Sequence, residues 1–480
     1  MRTEQDFLGA VQIPDDALYG INADRASRNF PDATRFFPEW YQALGSVKKA
    51  CYITYKHYAE TVHQKYPGKI LPTPLIDPSV IDALIEAANE VEQGNHFDHF
   101  IVPAVQGGAG TSINLNVNEI IANRALQLTG NPPGTYKLID PIEHANIFQS
   151  TNDVIPASLR VAIMRLLNDA EASVNSLRSA MEKIESASRD HIRIAYTEMQ
   201  EAVPSTYGRL FSTYNDALSR DWWRISKCSE RIKTVNLGGS AIGSGITVPS
   251  QFIRDVARTL HQVTNLPVSR AENLSDATSN QDALVEVHAI LKAHAVNLEK
   301  IVSDLRLLSS DLFRNREIEI PKLQTGSSIM PGKVNPVIPE FVVSAVHRVY
   351  SNDSLVASLS GLGNLELNAY LPSIGHAMIE SLKLLIAADH SLEVNMIAGL
   401  KLHKSGSFEN MLGNPSVTTA LVPYIGYNKA ALLAREMKNR DINIFEANRQ
   451  LNIIEQGRLE RIITPENLIR EGFSLNDMVE

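Results

Sequence analysis

Two serines between glycines, with a lysine and an asparagine close behind, make the stretch of this chain best equipped for chemistry: Thr325-Gly326-Ser327-Ser328-Ile329-Met330-Pro331-Gly332-Lys333-Val334-Asn335-Pro336. Gly326 and Gly332 allow backbone conformations closed to other residues and can act as hinges. Ser327 and Ser328 supply hydroxyls. Lys333 supplies a fixed positive charge suited to a carboxylate, and Asn335 a hydrogen-bond donor. On pattern alone, the same residues also make an ordinary surface turn.

Four further segments have comparable equipment. Gln106-Gly107-Gly108-Ala109-Gly110-Thr111-Ser112-Ile113-Asn114 joins backbone freedom to hydroxyl and amide donors, a composition able to cradle an anion. Gln149-Ser150-Thr151-Asn152-Asp153 precedes a long apolar periodicity and reads as a helix cap. A cap and an anion site are compatible, because helix N-termini present free N–H groups and a favourable dipole. Thr197-Glu198-Met199-Gln200-Glu201-Ala202-Val203-Pro204 is a polar cluster ahead of a proline. Gly238-Gly239-Ser240-Ala241-Ile242-Gly243-Ser244-Gly245 has the look of a phosphate loop but lacks the closing Gly-Lys-[Ser/Thr], and no strand pattern leads into it, which argues against a nucleotide. His96 and His99 form an H-x-x-H, but without an H-E-x-x-H or Cys/His cluster no metal site is expected.

Long helices must position these segments. Leu159, Ile163, Leu166, Ala170, Val174, Leu177, Met181 and Ile184 recur at alternating steps of three and four, the seam of a bundle-forming helix. Pro156 fits a first helical position behind caps Asn152 and Asp153. A second seam runs through Leu284, Val287, Leu291, His294, Leu298, Ile301, Leu305 and Leu308, with His294 expected as a core histidine whose nitrogens are satisfied. No strand–helix alternation suggests a parallel sheet. Loop signals such as Pro67-Gly68, Pro72-Thr73-Pro74 and Asn131-Pro132-Pro133-Gly134 punctuate the first part, and Gly399, Gly406 and Gly413 interrupt the last. Three regions follow: 1–140, mixed helix and loop; 141–398, a long-helix bundle; and 399–480, a small helical domain.

Composition narrows the function. The chain has 480 residues and a formal charge of -9, which argues against a nucleic-acid partner, since phosphate binding needs a basic surface. Its two cysteines, Cys51 and Cys228, cannot build a disulfide framework and suit a reducing compartment. No signal-peptide h-region follows Met1, and no run is expected to supply the roughly 18 apolar residues of a membrane span, so the cytoplasm is expected.

Taken together and in this order, the segments resemble the aspartase/fumarase superfamily across essentially the whole chain. Gly326 to Asn335 matches its G-S-S-x-M-P-x-K-x-N signature without a gap. Tyr19-Gly20, Arg25-Ala26 and Asn29-Phe30 match its Y-G…R-A…N-F. Within the superfamily the aspartase branch fits better than class II fumarases: Gly107-Gly108-Ala109-Gly110-Thr111-Ser112 has the aspartase form, where fumarases tend towards G-S-G-T-Q. Gln149–Asp153, Ala202-Val203-Pro204 and Asn335–Glu340 agree.

The resemblance implies an all-α, three-domain fold around a central long-helix bundle, and a homotetramer whose active sites each draw on three subunits. Thr111 with Ser150–Asn152, Thr197 with Glu198, and Ser327–Asn335 would then come from different chains. It also implies ammonia elimination from a small dicarboxylic amino acid, L-aspartate to fumarate, reversibly and with no cofactor or metal. The proton to be removed is weakly acidic because its loss makes a dianion, so donors must gather where that charge develops. By resemblance Ser327 is the base; Thr111, Ser150, Thr151 and Ser328 stabilise the aci-carboxylate; Lys333 and Asn335 hold the other carboxylate; and Asn152 and Thr197 lie near the amino group.

Two positions depart from the pattern. Glu198 stands where many members carry histidine, and that histidine's carboxylate partner corresponds to Glu340; two carboxylates there would share a proton or attract an ammonium group. Asp140 replaces the histidine of H-P-N-D-x-V-N, which weakens any secondary anion site there. The competing readings are release of fumarate from a substituted aspartate, fumarate hydration, and a non-catalytic structural protein on the same fold.

Overall fold

The computed structural model describes residues 1–479 other than 70, 72, 313–316 and 404–407. The turn signal at Pro72 and the pattern break at Gly406 therefore lie outside the described residues. The chain is built almost wholly of helices, as expected, with four two-stranded sheets among the described residues. It divides into two compact units: Met1–Glu171 with Trp223–Ala295 and Val346–Ile386, and Ala172–Trp222 with Val296–Ala345 and Ala387–Glu480. Both units take residues from the 141–398 region, so compactness does not follow chain order.

The first unit opens with an antiparallel hairpin, Arg2–Asp6 on Gly9–Ile13. Helices Pro38–Lys65 and Pro78–Glu92 both begin on proline, whose fixed φ suits a first turn that needs no N–H. They pack closely because Gly45 has no side chain: a Cβ there would lie 2.3 Å from the Glu92 nitrogen. Trp40 is buried to 1% exposure, donates to Ser158 Oγ at 2.9 Å, and fills the space left by Gly375.

A polar layer crosses the apolar seam of this unit. His288 is fully buried, with Nδ1 3.1 Å from Asp353 and Nε2 2.9 Å from Ser381 Oγ. Asn352 donates to the same Ser381 hydroxyl at 3.0 Å, so the buried polar groups satisfy one another. Both predicted seams face inward. Leu159 to Met181 are buried and Ile184 half-buried, and all eight residues of the second seam are buried, His294 among them.

The second unit holds the C-terminal core, centred on Val417, Leu421, Leu433, Ile444, Ala447 and Leu459. An antiparallel hairpin, Ile192–Thr197 on Gln200–Thr206, packs against it through Ile192 and Ile194. Asn443 and Glu446 form a reciprocal capping box on the following helix.

The helix Leu371–Asn395 corrects one expectation. A window beginning in it reaches a mean hydropathy of 1.2, enough by length and composition alone to cross a membrane, yet 61% of that window is buried inside the protein. It reads as a core helix.

Candidate active site

The serine loop lies in the second unit and is folded on itself. The Gly326 N–H donates to Lys333 O at 2.8 Å, and the Asn335 side-chain amide to Gly326 O at 2.7 Å. Glycine is required at 326 by close approach: a Cβ would meet the Asn335 nitrogen at 2.7 Å and the Lys333 oxygen at 2.8 Å. At Gly332 the reason is a φ of +78°. Inside this closed loop, Ser327 Oγ accepts the backbone N–H of Met330 at 2.9 Å and of Ile329 at 3.2 Å. Two N–H dipoles aimed at one hydroxyl oxygen favour negative charge on it, which is what a serine needs to act as a base. Ser328 and Lys333 are exposed, and Lys333 has no ion-pair partner among the described residues.

Thr197 and Glu198 sit at the tip of the second unit's hairpin. Thr197 pairs with Gln200, so Glu198-Met199 is a two-residue turn. Both have positive φ, 52° and 62°, as a type I′ turn demands. Neither is Gly, Asn or Asp, and this is why the sequence carries no hairpin signal here. The tip is exposed, presenting the Glu198 carboxylate to solvent. Glu340, its expected partner by resemblance, accepts instead from Arg306 at 3.1 Å within the same chain. Among the described residues no hydrogen bond joins the hairpin tip to the serine loop.

The first unit gathers the other candidates. Gly108, Ala109 and Gly110 all have positive φ and turn the chain into the helix Thr111–Leu128. Gly110 lies against Ile155, where a Cβ would come within 3.0 Å, and this contact seats the loop on the helix Thr151–Ala187. Thr111 Oγ1 donates to Gly108 O at 2.8 Å, leaving its lone pairs open. Ser150 caps the second helix reciprocally: its Oγ accepts the Asn152 N–H at 3.3 Å, and its N–H donates to Asp153 at 2.9 Å.

The helix therefore starts at Thr151, not near Pro156, which lies inside it. Proline cannot donate to the Asn152 carbonyl one turn back, and the Asn236 side-chain amide takes that carbonyl at 2.9 Å. The missing helix bond is replaced, so the expected boundary moves. Asn152 in turn donates to Ala241 O at 2.8 Å.

Ala241 belongs to the phosphate-like glycine loop, which a two-residue strand, Thr234–Val235, paired parallel with the later Ser269–Arg270, does precede. Its N–H groups are already taken by a side-chain carboxyl. Gly238 and Ser240 donate to Asp153 Oδ2 at 3.2 and 3.1 Å. Burial pushes the Asp153 carboxyl up to about 7, against the pull of these backbone donors and of Lys48.

Lys48 is itself buried, and burial pushes it down to about 7. Its Nζ lies 3.3 Å from Asn146 Oδ1, which also accepts from Asn114 at 3.1 Å; the same Asn114 amide reaches Thr151 Oγ1 at 3.3 Å. A buried lysine amine is thus linked through two asparagines to a candidate hydroxyl. Sequence reasoning missed Lys48 and Asn146, and read Asn114 only as the end of a glycine-rich segment and Asp153 only as a cap. Lys48 did leave a signal, a charge at an inward position between Leu44 and Cys51-Tyr52 on an otherwise apolar helix face.

The H-x-x-H histidines are engaged elsewhere: His96 with Glu90 at 2.6 Å, and His99 with the Leu18 N–H at 3.3 Å. Asp140 accepts the N–H groups of Ile142 and Glu143 and so caps its own turn.

Known proteins match along the full chain. A lyase family model matches residues 9–351, and one for the fumarase C C-terminus matches residues 417–470. The chain is 35% identical to the aspartate ammonia-lyase of a Bacillus species over 476 residues, covering 99% of this chain and 98% of that one. It is 36% identical to that of Helicobacter pylori over 473 residues, covering 98% of each. Among solved structures, a fumarate lyase:delta crystallin from Brucella melitensis bound to cobalt superimposes with a TM-score of 0.88 at 34% identity, covering 97% of this chain and 98% of that one. A class II fumarase from Schistosoma mansoni does so with 0.87 at 26%, with coverage of 97% and 98%.

Proposed function

Because the chain belongs to the aspartase/fumarase superfamily of lyases, we propose that it is an aspartate ammonia-lyase, converting L-aspartate reversibly to fumarate and ammonia. The observation that carries this reading is the Ser327 hydroxyl, held by two backbone N–H donors inside a loop that matches the superfamily signature. Its relatives' names favour aspartate over malate, as does a carboxylate, Glu198, where an ammonium group is to be accommodated.

In the proposed reaction the Ser327 alkoxide takes a proton from the carbon beside the side-chain carboxylate. The electron pair moves into that carboxylate, giving a dianion. Thr111, Ser150, Thr151 and Ser328 donate to it, and the Lys48 amine, linked to Thr151 through Asn146 and Asn114, lowers its energy further when protonated. The pair then returns to form the C=C bond and expels ammonia from the neighbouring carbon. Lys333 and Asn335 hold the other carboxylate, and Asn152, Thr197 and Glu198 attend the amine. Exclusion of water by loop closure strengthens each of these interactions.

The scheme calls on no cofactor. By the superfamily resemblance, the complete site is proposed to form where three subunits of a homotetramer meet, with the cytoplasm as the proposed compartment. The test is incubation of the purified protein with L-aspartate, L-malate and N-substituted aspartates, following fumarate by its ultraviolet absorbance. Fumarate from aspartate supports the reading. Fumarate from malate or a substituted aspartate alone overturns it.

A further inference from the structure

The serine loop needs an anchor. Among the described residues, the hydrogen bonds of residues 321–336 stay inside the loop and the helix turn it enters, so its orientation must be set where it is rooted. The C-terminal root, Arg306–Glu340, has side chains about half exposed, 51% and 43%, where an ion pair orients little. The N-terminal root is different.

Glu317 lies just before the short strand Ile318–Glu319, which pairs antiparallel with Lys401–Leu402. Its carboxylate meets Arg193 Nε at 2.8 Å, and both side chains are nearly excluded from solvent, at 11% and 6% exposure. The Arg193 guanidinium lies 5.6 Å from the ring centres of both Tyr196 and Tyr207. The Glu317 carbonyl accepts from Tyr207 Oη at 3.1 Å and from the His403 N–H at 2.9 Å. Burial, with the Glu317 carboxylate beside it, pushes Tyr196 up to about 12, so its hydroxyl stays a donor.

Tyr196 is the residue before Thr197. It stands three positions from Arg193, a separation that puts side chains on opposite faces of a regular strand. The strand register slips between Ile194 and Tyr196, and this irregularity accompanies the convergence of both on Glu317.

We propose that Arg193 and Glu317, with Tyr196 and Tyr207 packed around them, form a buried clamp that fixes the root of the serine loop to the hairpin carrying Thr197 and Glu198. They act as positioning residues for Ser327. Neither touches substrate. A charge pair buried this deeply is a poor device for stability alone, because apolar side chains of similar size often hold a core as well or better. Its directional bonds instead hold one geometry, and a small misplacement of a catalytic group is costly to rate.

The proposal rests on Ser327 being the base, and the experiment separates the two ideas. The variants are Glu317→Gln, Arg193→Lys and the double variant Arg193→Met/Glu317→Leu, each in the full-length protein. The measurements are kcat, KM for L-aspartate, thermal midpoint, and hydrogen exchange of a peptide spanning residues 323–336. Glu317→Gln and the double variant are expected to lower kcat at least ~10-fold with KM within about threefold, and to speed loop exchange. The double variant recovers the thermal midpoint without recovering kcat, whereas a merely structural pair would recover both. Arg193→Lys keeps the charge, and is expected to fold and to retain more kcat than Glu317→Gln.

Wild-type kcat and loop exchange in a stable double variant overturn the clamp. Unchanged loop exchange in every variant overturns it whatever the activity. Faster exchange in a protein whose wild type makes no fumarate from aspartate keeps the clamp and removes only the reading of the reaction.

Discussion

The side-chain amide of Asn335 donates to the carbonyl of Gly326 at 2.7 Å, and with the return bond from Gly326 N–H to Lys333 O it closes the serine loop at its neck. Gly326→Ala places a methyl within 3 Å of three backbone atoms and must open that neck. Because the loop is largely exposed, the expected result is at least a ~10-fold loss of kcat with an unchanged thermal midpoint. Steady-state kinetics beside a melting curve check it.

Ser327→Ala removes the proposed base while leaving the neck intact. Turnover is expected to fall at least ~100-fold with the thermal midpoint and the proposed tetramer unchanged. A variant with near-normal kcat removes Ser327 from that role.

Glu198→Gln keeps the size of the side chain and loses its charge. The pH–rate profile for L-aspartate is expected to change shape and KM to rise, since an ammonium group loses a carboxylate near it. If the two profiles overlay at every pH, Glu198 has no share in holding or sharing a proton.

Asp153→Asn can keep its one carbonyl oxygen towards the Gly238 and Ser240 N–H groups, and this sets its NH2 against the Ser150 N–H, a donor left without an acceptor. The expected cost is about 2 kcal/mol of stability, read from the denaturant midpoint. Asn152 is held to the same loop through Ala241 O, so KM should rise as well.

Glu119 supplies a pH prediction. Its buried carboxylate accepts the N–H groups of Gly20, Asn22 and Ala23, yet burial raises it from 4.5 to about 7. A carboxyl raised in the folded state contributes stability that is complete below its unfolded value and lost as pH rises through the folded one. The loss falls between about pH 4.5 and 7 and amounts to something on the order of 3 kcal/mol. Denaturant midpoints at pH 5 and 8 should show that decline in the parent and a shallower one in Glu119→Gln. Equal slopes would mean that the carboxyl ionises as freely as in the unfolded chain.

What the sequence showed of this protein, and what it hid, follows from the range of the interactions. Leu159 to Met181 and Leu284 to Leu308 announce their burial because helical periodicity is written into neighbouring residues. The serine loop is legible for the same reason: the glycines its neck requires stand in one short run with Ser327 and Asn335. Lys48 and Asp153 meet their partners across roughly a hundred residues of chain, through folds that no local pattern encodes. The start of the helix at Thr151 is hidden because Asn236, far along the chain, takes the carbonyl that Pro156 cannot. His294 stands within the second seam, while His288, one step off it, carries the polar layer with Asp353 and Ser381.

The Glu198-Met199 turn has a consequence for how this protein can diverge. Its backbone is left-handed at both positions, which a β-branched residue tolerates poorly, so Met199→Val is expected to destabilise the hairpin by about 1–2 kcal/mol where Met199→Gly does not. Drift at 199 is thereby confined to a few residue types by conformation alone. At 198 the same geometry admits Asn, Asp and Gly most readily, each able to hold the turn while changing the charge and hydrogen bonding presented at its tip. On the proposed function, the tip is a place where selectivity can be rewritten without rebuilding the scaffold that presents it.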